Sequence, residues 1–281
     1  MLEYPAPGEW AMRTARRAHA RLVDALGEAA GEAVFSVGVW SGAFVTMAGT
    51  AGLAAALAPW RPFRSTHAWV GAPGMALCLR MTGTGMRLWV HSAFDPEERG
   101  VFCQNHVSLL DAHVASNAIP HAFCGLMNAW QFRIPFYGWL MGMSLGIPVP
   151  AEQQGRTAVL AAHARERAAL GLSILAFPEA HRTRDGRVHR FHRGVLFMAR
   201  DAGLPVVPVA VRGLREVNGK GRWTFTPGNV EVLIGRPRST AGMGDDAVTR
   251  LAEDLRLEVA SFVEDGVLPE GATEVRSWRR R

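Results

Sequence analysis

Apolar and polar positions are distributed differently in the first hundred residues and in the rest of the chain. Residues 9–32 have the periodicity of an amphipathic helix that carries several arginines, on a solvated or a membrane surface. Residues 33–60 then contain no charged side chain. This run exceeds the roughly 20 apolar residues that a helix needs to cross a bilayer core. Its glycines weaken the signal, and a buried helix of a soluble bundle is the alternative.

A second apolar stretch, residues 66–90, is interrupted by Arg80 and Arg87. We expect the two stretches to form a helical hairpin that dips into one leaflet. Arginines flank the hairpin on both sides, so the positive-inside rule assigns it no orientation. A cleavable signal sequence is not predicted, because the first apolar stretch begins only after about thirty charged, helix-compatible positions.

Short apolar runs alternate with helix-like stretches from about residue 98, as in an α/β domain. The predicted strands are residues 101–103, 122–126, 146–149, 173–177, 205–211 and 230–234. The predicted helices are residues 107–118, 156–170 and 245–264. We therefore expect an α/β fold with a mixed, mostly parallel sheet flanked by helices, preceded by an N-terminal apolar helical segment that anchors the protein to a membrane. The chain divides into residues 1–97, the membrane-associated helices, and residues 98–281, the α/β domain.

Composition narrows the class of partner. The net charge of +6 calls for an anionic partner such as a membrane surface, a phosphorylated substrate or nucleic acid. Nine tryptophans against two tyrosines favour the membrane, since tryptophan is enriched at the headgroup boundary. The three cysteines have no metal-binding spacing and fit buried thiols in a reducing compartment. We expect no metal site.

The first candidate for chemistry is the pair His106 and Asp111, with four residues between them. The spacing alone is close to a chance event, because His19 and Asp24 repeat it on the charged N-terminal helix, where a solvated face is the simpler explanation. A strand-like run ends just before His106, however. Five positions on an ideal helix turn through roughly 140°, so the pair meets only if the histidine lies in the turn before the helix. The carboxylate would then fix the imidazole, which could deprotonate a hydroxyl; a capped structural histidine is the alternative.

The second candidate is the sequence Phe-Pro-Glu-Ala-His-Arg-Thr, residues 177–183, directly after an apolar strand. Glu179 and Arg182 fall in one turn, where the carboxylate could orient an anion-binding guanidinium. A basic cluster follows over residues 184–193, with Asp185 as its one acid. Its position between two apolar strands favours phosphate binding over a solvated loop, and its few aromatic residues argue against nucleic acid.

These blocks follow one another in a recognisable order. Asn-His-x-x-x-x-Asp precedes Ile-Pro-Phe-Tyr-Gly-Trp, then Phe-Pro-Glu-x-x-Arg, Phe-x-x-Gly and Pro-Val-Val-Pro-Val. From about Phe102 to Pro237 the chain resembles the glycerolipid acyltransferase family, which includes the 1-acylglycerol-3-phosphate acyltransferases. The resemblance implies that His106 and Asp111 are the catalytic pair. It implies that acceptor binding falls to Phe177, Pro178, Glu179, Arg182, Arg193 and Gly194.

Two positions depart from the family's pattern. Ala180-His181 replaces the usual Gly-Thr, and Ala151 stands where the family has an arginine that helps to bind the acceptor's phosphate. Arg156, five residues further on, is a candidate substitute. These departures do not affect the acyl-transfer step, but they leave more than one acceptor compatible with the motif. Lysophosphatidate is expected first, and another lysolipid such as lyso-ornithine lipid is the alternative.

The resemblance thus implies an O-acyltransferase of phospholipid biosynthesis that moves a fatty acyl group from acyl-CoA or acyl-carrier protein to a lysophospholipid hydroxyl. We expect no cofactor beyond the acyl donor, no covalent enzyme intermediate and no nucleic-acid partner. The expected location is the cytoplasmic face of the inner or plasma membrane, on an anionic lipid surface. The alternatives are a thioester or lipid hydrolase and a basic, membrane-attached binding protein without chemistry.

Overall fold

The computed structural model describes residues 9–135, 137–152 and 154–275. Outside them lie residues 1–8, Phe136 of the Ile-Pro-Phe-Tyr-Gly-Trp block, Gln153, and residues 276–281 of the predicted C-terminal domain. The strands are β1 (Gly85–His91), β2 (Val101–Gln104), β3 (Phe123–Asn128), β4 (Ile147–Val149), β5 (Ser173–Ala176), β6 (Val206–Arg212), β7 (Asn229–Ile234) and β8 (Ala272–Val275). The helices are α1 (Glu9–Leu26), α2 (Glu28–Leu57), α3 (Phe63–Thr66), α4 (Ala72–Met81), α5 (Asp111–Ala118), α6 (Tyr137–Met143), α7 (Arg156–Ala169), α8 (Gly194–Ala202), α9 (Leu214–Asn218) and α10 (Asp245–Asp265).

The described strands form one sheet in the order β4-β3-β5-β2-β6-β7-β1-β8. All of their pairings are parallel except β6 with β7 and β1 with β8, which are antiparallel. The central strands β2 and β5 are buried at every position, as expected for parallel strands that helices cover on both faces. The predicted fold class, a mixed and mostly parallel sheet flanked by helices, is confirmed.

Two layers of helices enclose the sheet. One hydrophobic cluster joins it to α2, α4 and α5 and contains Phe35 and Val114. A second cluster, with Leu196 and Leu255, joins the opposite face to α7, α8 and α10. The cysteines are buried free thiols, in agreement with the sequence-based expectation.

The N-terminal helix predicted over residues 9–32 ends earlier than expected. Gly27 has a φ of 81°, a left-handed conformation that favours glycine, and it separates α1 from α2. The chain turns back there so closely that a Cβ on Gly31 would lie 2.6 Å from the backbone of Val23. The uncharged run forms most of α2, whose 30 residues are long and apolar enough to cross a membrane.

The second apolar stretch is helical only in part. The chain is helical from α3 through a π-turn, His67–Gly71, to the end of α4, which packs against α2. Our extension of this helix to residue 90 was wrong, because residues 85–91 form β1, in parallel register with β7. Leu88 and Val90 are buried, whereas Arg87 is exposed and Trp89 half-buried, which is the alternation of a strand. The sheet therefore includes a strand, β1, that lies before residue 97. The proposed domain boundary between residues 97 and 98 stays a prediction.

Several loops meet at one edge of the sheet. The carboxyl ends of β2, β5 and β6 lie there because these strands are parallel neighbours. β7 runs antiparallel to β6, so the chain that leads from α9 into β7, residues 219–228, lies at this edge too. We call it the connecting segment. Ligands of α/β proteins bind at the carboxyl ends of the parallel strands, which directs attention to this edge.

The connecting segment also fastens α2 to the rest of the protein. The backbone N–H of Phe225 donates to Ser36 Oγ at 2.9 Å. Trp40 Nε1 donates to the carbonyl of Trp223 at 2.8 Å, and its ring centroid lies 5.2 Å from that of Phe225. The long apolar helix is therefore joined directly to the edge of the sheet where the loops meet.

Candidate active site

The turn between β2 and α5 brings His106 and Asp111 together. His106 Nδ1 lies 2.6 Å from Asp111 Oδ2, and the backbone N–H groups of Val107 and Ser108 donate to the same oxygen, at 2.9 Å each. Asp111 is the first residue of α5, and His106 lies in the turn before it, as the helical geometry required. A carboxylate only accepts, so Nδ1 carries the hydrogen and Nε2 is the basic nitrogen. The Asp111 side chain is 2% exposed and that of His106 is 23% exposed. The imidazole can therefore contact a substrate, whereas the carboxylate is shielded from solvent.

The second pair with this spacing behaves differently. Asp24 is exposed on α1, as expected for a solvated face. His19 instead packs its ring edge against Phe35 of α2, with centroids 5.1 Å apart. Among the residues that the structure describes, no hydrogen bond or ion pair joins His19 to Asp24. Spacing alone therefore does not make a pair.

Phe177, predicted to bind the acceptor, lies against the catalytic turn. Its ring stacks on the imidazole of His106, with centroids 4.1 Å apart and planes 17° apart. One face of the imidazole is thereby covered, and its orientation is held from a second direction besides Asp111. The sequence placed Phe177 at the site but did not reveal this contact, which depends on β5 and β2 being neighbours.

Glu179 fastens two loops together. Its Oε1 accepts the backbone N–H of His106 at 2.8 Å, and its Oε2 accepts that of His189 at 3.0 Å. Burial raises the pKa of Glu179 because it disfavours the charged form, and the two N–H donors oppose this shift. We expected Glu179 to orient the guanidinium of Arg182, and this was wrong: no ion pair joins the two in the described residues. The carboxylate is occupied by the backbone of the catalytic turn.

The loop after β5 folds tightly against the same turn. The backbone N–H of Thr183 donates to the carbonyl of His106 at 2.8 Å. Ala180 has a φ of 61°, in the left-handed region that favours glycine. The resemblance gave glycine as the usual residue at this position. The loop therefore keeps its shape here at the cost of strain at Ala180.

The remaining predicted acceptor residues lie further from the imidazole. Pro178 is buried, and its carbonyl accepts the N–H of His192 at 2.8 Å. Arg182 is half-buried in the loop after β5. Arg193 immediately precedes α8 and Gly194 is its first residue, and both are exposed. Within the described residues no hydrogen bond joins Arg193 or Gly194 to His106, so their part in acceptor binding stays a prediction.

Asn105 is a further residue of the site, and it is not among the residues predicted from the sequence. Its Nδ2 donates to the carbonyl of Val211 at 3.0 Å, and its Oδ1 accepts the N–H of Val211 at 2.8 Å. The side chain thus pairs with the end of β6 as a further strand residue would, immediately before His106. Its position in Asn-His-x-x-x-x-Asp was the available signal.

The candidate replacement for the missing arginine lies at the far side of the sheet. Arg156 Nη2 donates to the carbonyl of Ala151 at 2.7 Å, so its guanidinium does reach that position. Ala151 follows β4, however, and β4 stands three strands from β2. With neighbouring strands about 4.8 Å apart, this places Arg156 roughly 14 Å from the strand that carries His106.

Comparison with known proteins assigns the family. A family model described as Acyltransferase matches residues 74–212, which include the turn of His106 and the loop after β5. Over these residues, just under half of the chain, the protein is similar to this acyltransferase family. The expectation of a glycerolipid acyltransferase, drawn from the order of its motifs, is confirmed. The matched range ends with β6, so the connecting segment lies beyond it.

Curated relatives of this acyltransferase share the same name. It is 29% identical over 161 residues to 1-acyl-sn-glycerol-3-phosphate acyltransferase BAT2, chloroplastic, of Brassica napus, covering 56% of this chain and 46% of the relative. It is 28% identical over 199 residues to the 1-acyl-sn-glycerol-3-phosphate acyltransferase of Pseudomonas aeruginosa, covering 69% of this chain and 77% of that one. The acyltransferase spans less than half of the length of the chloroplast relatives of Brassica napus and Arabidopsis thaliana.

A solved structure shares the fold. The 1-acyl-sn-glycerophosphate (LPA) acyltransferase PlsC from Thermotoga maritima matches this acyltransferase with a TM-score of 0.69 at 20% identity. The match covers 83% of this chain and 97% of that one. The two proteins therefore share the same fold over most of this chain.

Proposed function

We propose that this acyltransferase moves a fatty acyl group from a thioester to the free hydroxyl of lysophosphatidate. The observation that carries the proposal is the 2.6 Å contact between His106 Nδ1 and Asp111 Oδ2 at the ligand-binding edge of the sheet. The names of its relatives in Brassica napus and Pseudomonas aeruginosa support lysophosphatidate as the acceptor. The donor is acyl-CoA or acyl-carrier protein, both of which offer the same thioester.

The reaction uses His106 as a general base and then as a general acid. Nε2 takes the proton of the acceptor hydroxyl as its oxygen attacks the thioester carbonyl. The tetrahedral intermediate expels the thiolate, which takes that proton from the imidazolium, so that the enzyme returns to its starting state. Asp111 stabilises the imidazolium through Nδ1–H. Its own position is held by the N–H groups of Val107 and Ser108. The proposed cycle needs no cofactor.

We further propose that α2 attaches the enzyme to the membrane. Its outer face presents large apolar side chains to the surroundings, among them Val37, Phe44 and Val45. Arg61 and Arg64 follow its carboxyl end and can meet anionic headgroups. The other face of α2 packs against α1 and α4, which suits a helix that lies in one leaflet beside its own protein. The cytoplasmic leaflet is the one we expect.

A single assay tests the acyl-transfer proposal. The purified enzyme, in vesicles that contain phosphatidylglycerol, receives one acyl thioester with lysophosphatidate, with lyso-ornithine lipid or with no acceptor. We expect phosphatidate as the main product, and a fall of about 10²- to 10⁴-fold in His106→Ala with vesicle binding retained. His163→Ala, on the opposite face of the sheet, serves as the control. Free fatty acid released at the same rate without any acceptor would establish a hydrolase instead.

A further inference from the structure

The connecting segment forms a third wall of the site, beside the catalytic turn and the loop after β5. Gly219 pairs with Ser108 of the catalytic turn in an isolated antiparallel bridge. One residue on, Lys220 Nζ donates to the carbonyl of Arg182 at 2.7 Å. The N–H of Thr183 in turn donates to the carbonyl of His106. The ammonium of Lys220 is therefore bonded to the loop after β5, which is itself hydrogen-bonded to the turn that carries the catalytic histidine.

Lys220 is unusual in the composition of the chain. It is the sole lysine of the chain, and all the other residues among the 31 Lys and Arg are arginines. An ammonium carries three N–H donors, and the contact with Arg182 occupies one of them. No second hydrogen-bond or ion-pair partner of Lys220 lies among the described residues. A half-buried cation with spare donors at this edge of the sheet is suited to an anion.

The acceptor that we propose brings such an anion. Only a few bonds separate the free hydroxyl of lysophosphatidate from its phosphate, so a hydroxyl placed at His106 holds the phosphate close to the same turn. Arg156 is roughly 14 Å away across three strands. The connecting segment lies on the other side of β2, next to β6, and touches the turn itself. Lys220 is thus better placed than Arg156 to supply the charge that is missing at Ala151.

We propose that Lys220 binds the acceptor's phosphate together with Arg182. The inference rests on the proposed function, because it takes the acceptor to be lysophosphatidate. It adds a phosphate ligand from a segment beyond the range that the family model matches. It also explains how a chain with alanine at position 151 keeps a phosphorylated acceptor.

Steady-state kinetics of Lys220→Met test the proposal. Loss of a charged hydrogen bond to the phosphate should raise the KM for lysophosphatidate about tenfold or more, with the thioester KM unchanged. Lys220→Arg should recover most of the affinity, since the charge is kept. The matched control is Arg215→Met, because Arg215 Nε donates to the carbonyl of Arg184 at 3.0 Å on the same loop. Arg215→Met should keep the wild-type KM.

The single lysine allows a direct binding test. An amine-acetylating reagent can modify Lys220 and the chain's amino terminus, and peptide mass spectrometry separates the two. Lysophosphatidate should protect Lys220 in the wild-type enzyme, whereas monoacylglycerol with the same acyl chain should not. Modification of the amino terminus should be equal in both samples and serves as the internal standard.

The outcomes separate this inference from the proposed function. A wild-type enzyme that does not acylate lysophosphatidate would overturn the proposed function and with it the role of Lys220. A wild-type enzyme that does so, but whose Lys220→Met variant keeps the acceptor KM, would overturn the role of Lys220 alone. Equal KM increases in Lys220→Met and Arg215→Met, or equal protection of Lys220 by monoacylglycerol, would also overturn phosphate binding by Lys220. Its role would then be to stabilise the loop after β5.

Discussion

Asn105 offers a sharp test of how the catalytic turn is held. Its amide makes two hydrogen bonds with the backbone of Val211, at 3.0 and 2.8 Å, and both residues are 1% exposed. Asn105→Ala leaves a buried N–H and a buried C=O without partners. Each costs about 1–3 kcal/mol. Entry of water into the space that the amide leaves would offset part of this, so we expect a net loss of about 2–4 kcal/mol.

This loss should lower the melting temperature by roughly 5–12 °C in a chain of this size, measured by circular dichroism in detergent. The control is Asn117→Ala on α5, where one amide donates to a helix carbonyl that is already paired, so the loss should stay below about 1 kcal/mol.

Activity should fall as well, because His106 directly follows Asn105. Measured well below the melting temperature of the variant, kcat should drop about ten- to a hundredfold from the displaced imidazole. A melting temperature of Asn105→Ala within about 2 °C of the wild type, or equal to that of Asn117→Ala, would refute the reasoning.

Three further predictions concern other residues of the fold. Asp111→Asn should lower kcat by about 10²–10⁴ with little change in the thioester KM, since a neutral amide cannot stabilise the imidazolium; an unchanged kcat would contradict the mechanism. Ala180→Gly should raise the unfolding free energy by about 0.5–1 kcal/mol, because glycine adopts the φ of 61° without strain. The control Ala162→Gly, at an exposed position of α7, should lower the unfolding free energy by about 1 kcal/mol. Changes of the same sign in the two variants would exclude strain at Ala180. Burial lowers the pKa of His121 to about 4, so the unfolded state binds more protons between pH 6.5 and 4. Stability should fall as the pH drops through that window, by up to about 3 kcal/mol from this group, and the fall should be smaller in His121→Gln when unfolding free energies at pH 7 and 4.5 are compared.

The parts of the fold that the sequence predicted well are those that local pattern determines. The buried strands β2, β5 and β6 each contain an unbroken apolar run, and α7 and α10 have a clear helical period. β1 was missed because an apolar stretch after a helix reads as more helix until its partner is known. That partner, β7, begins at Asn229, far along the chain. The break at Gly27 was missed because helix-forming residues, mostly Ala, Leu and Glu, continue on both sides of it.

The site divides in the same way. The meeting of His106 with Asp111 followed from helical geometry, because five residues set both the spacing and the turn. The stacking of Phe177, the anchoring by Asn105 and the contacts of Glu179 arise where three loops from distant parts of the sequence converge at one edge of the sheet. Motif spacing contains no information about that convergence. Glu179 shows the consequence: its motif placed it at the site, and its partners turned out to be backbone N–H groups.

The connecting segment links two properties that are usually treated separately. Its Phe225 and Trp223 hold α2, and its Gly219 holds the catalytic turn. With α2 in a leaflet, the depth of that helix would set the height of His106 above the lipid, and a shift of one helical turn would move it by about 5.4 Å. A lysolipid whose headgroup lies at that height would reach the imidazole while its acyl chain stays among the other lipids. Bilayer thickness would then act as a selector of substrate, through residues that make no contact with the acyl chain.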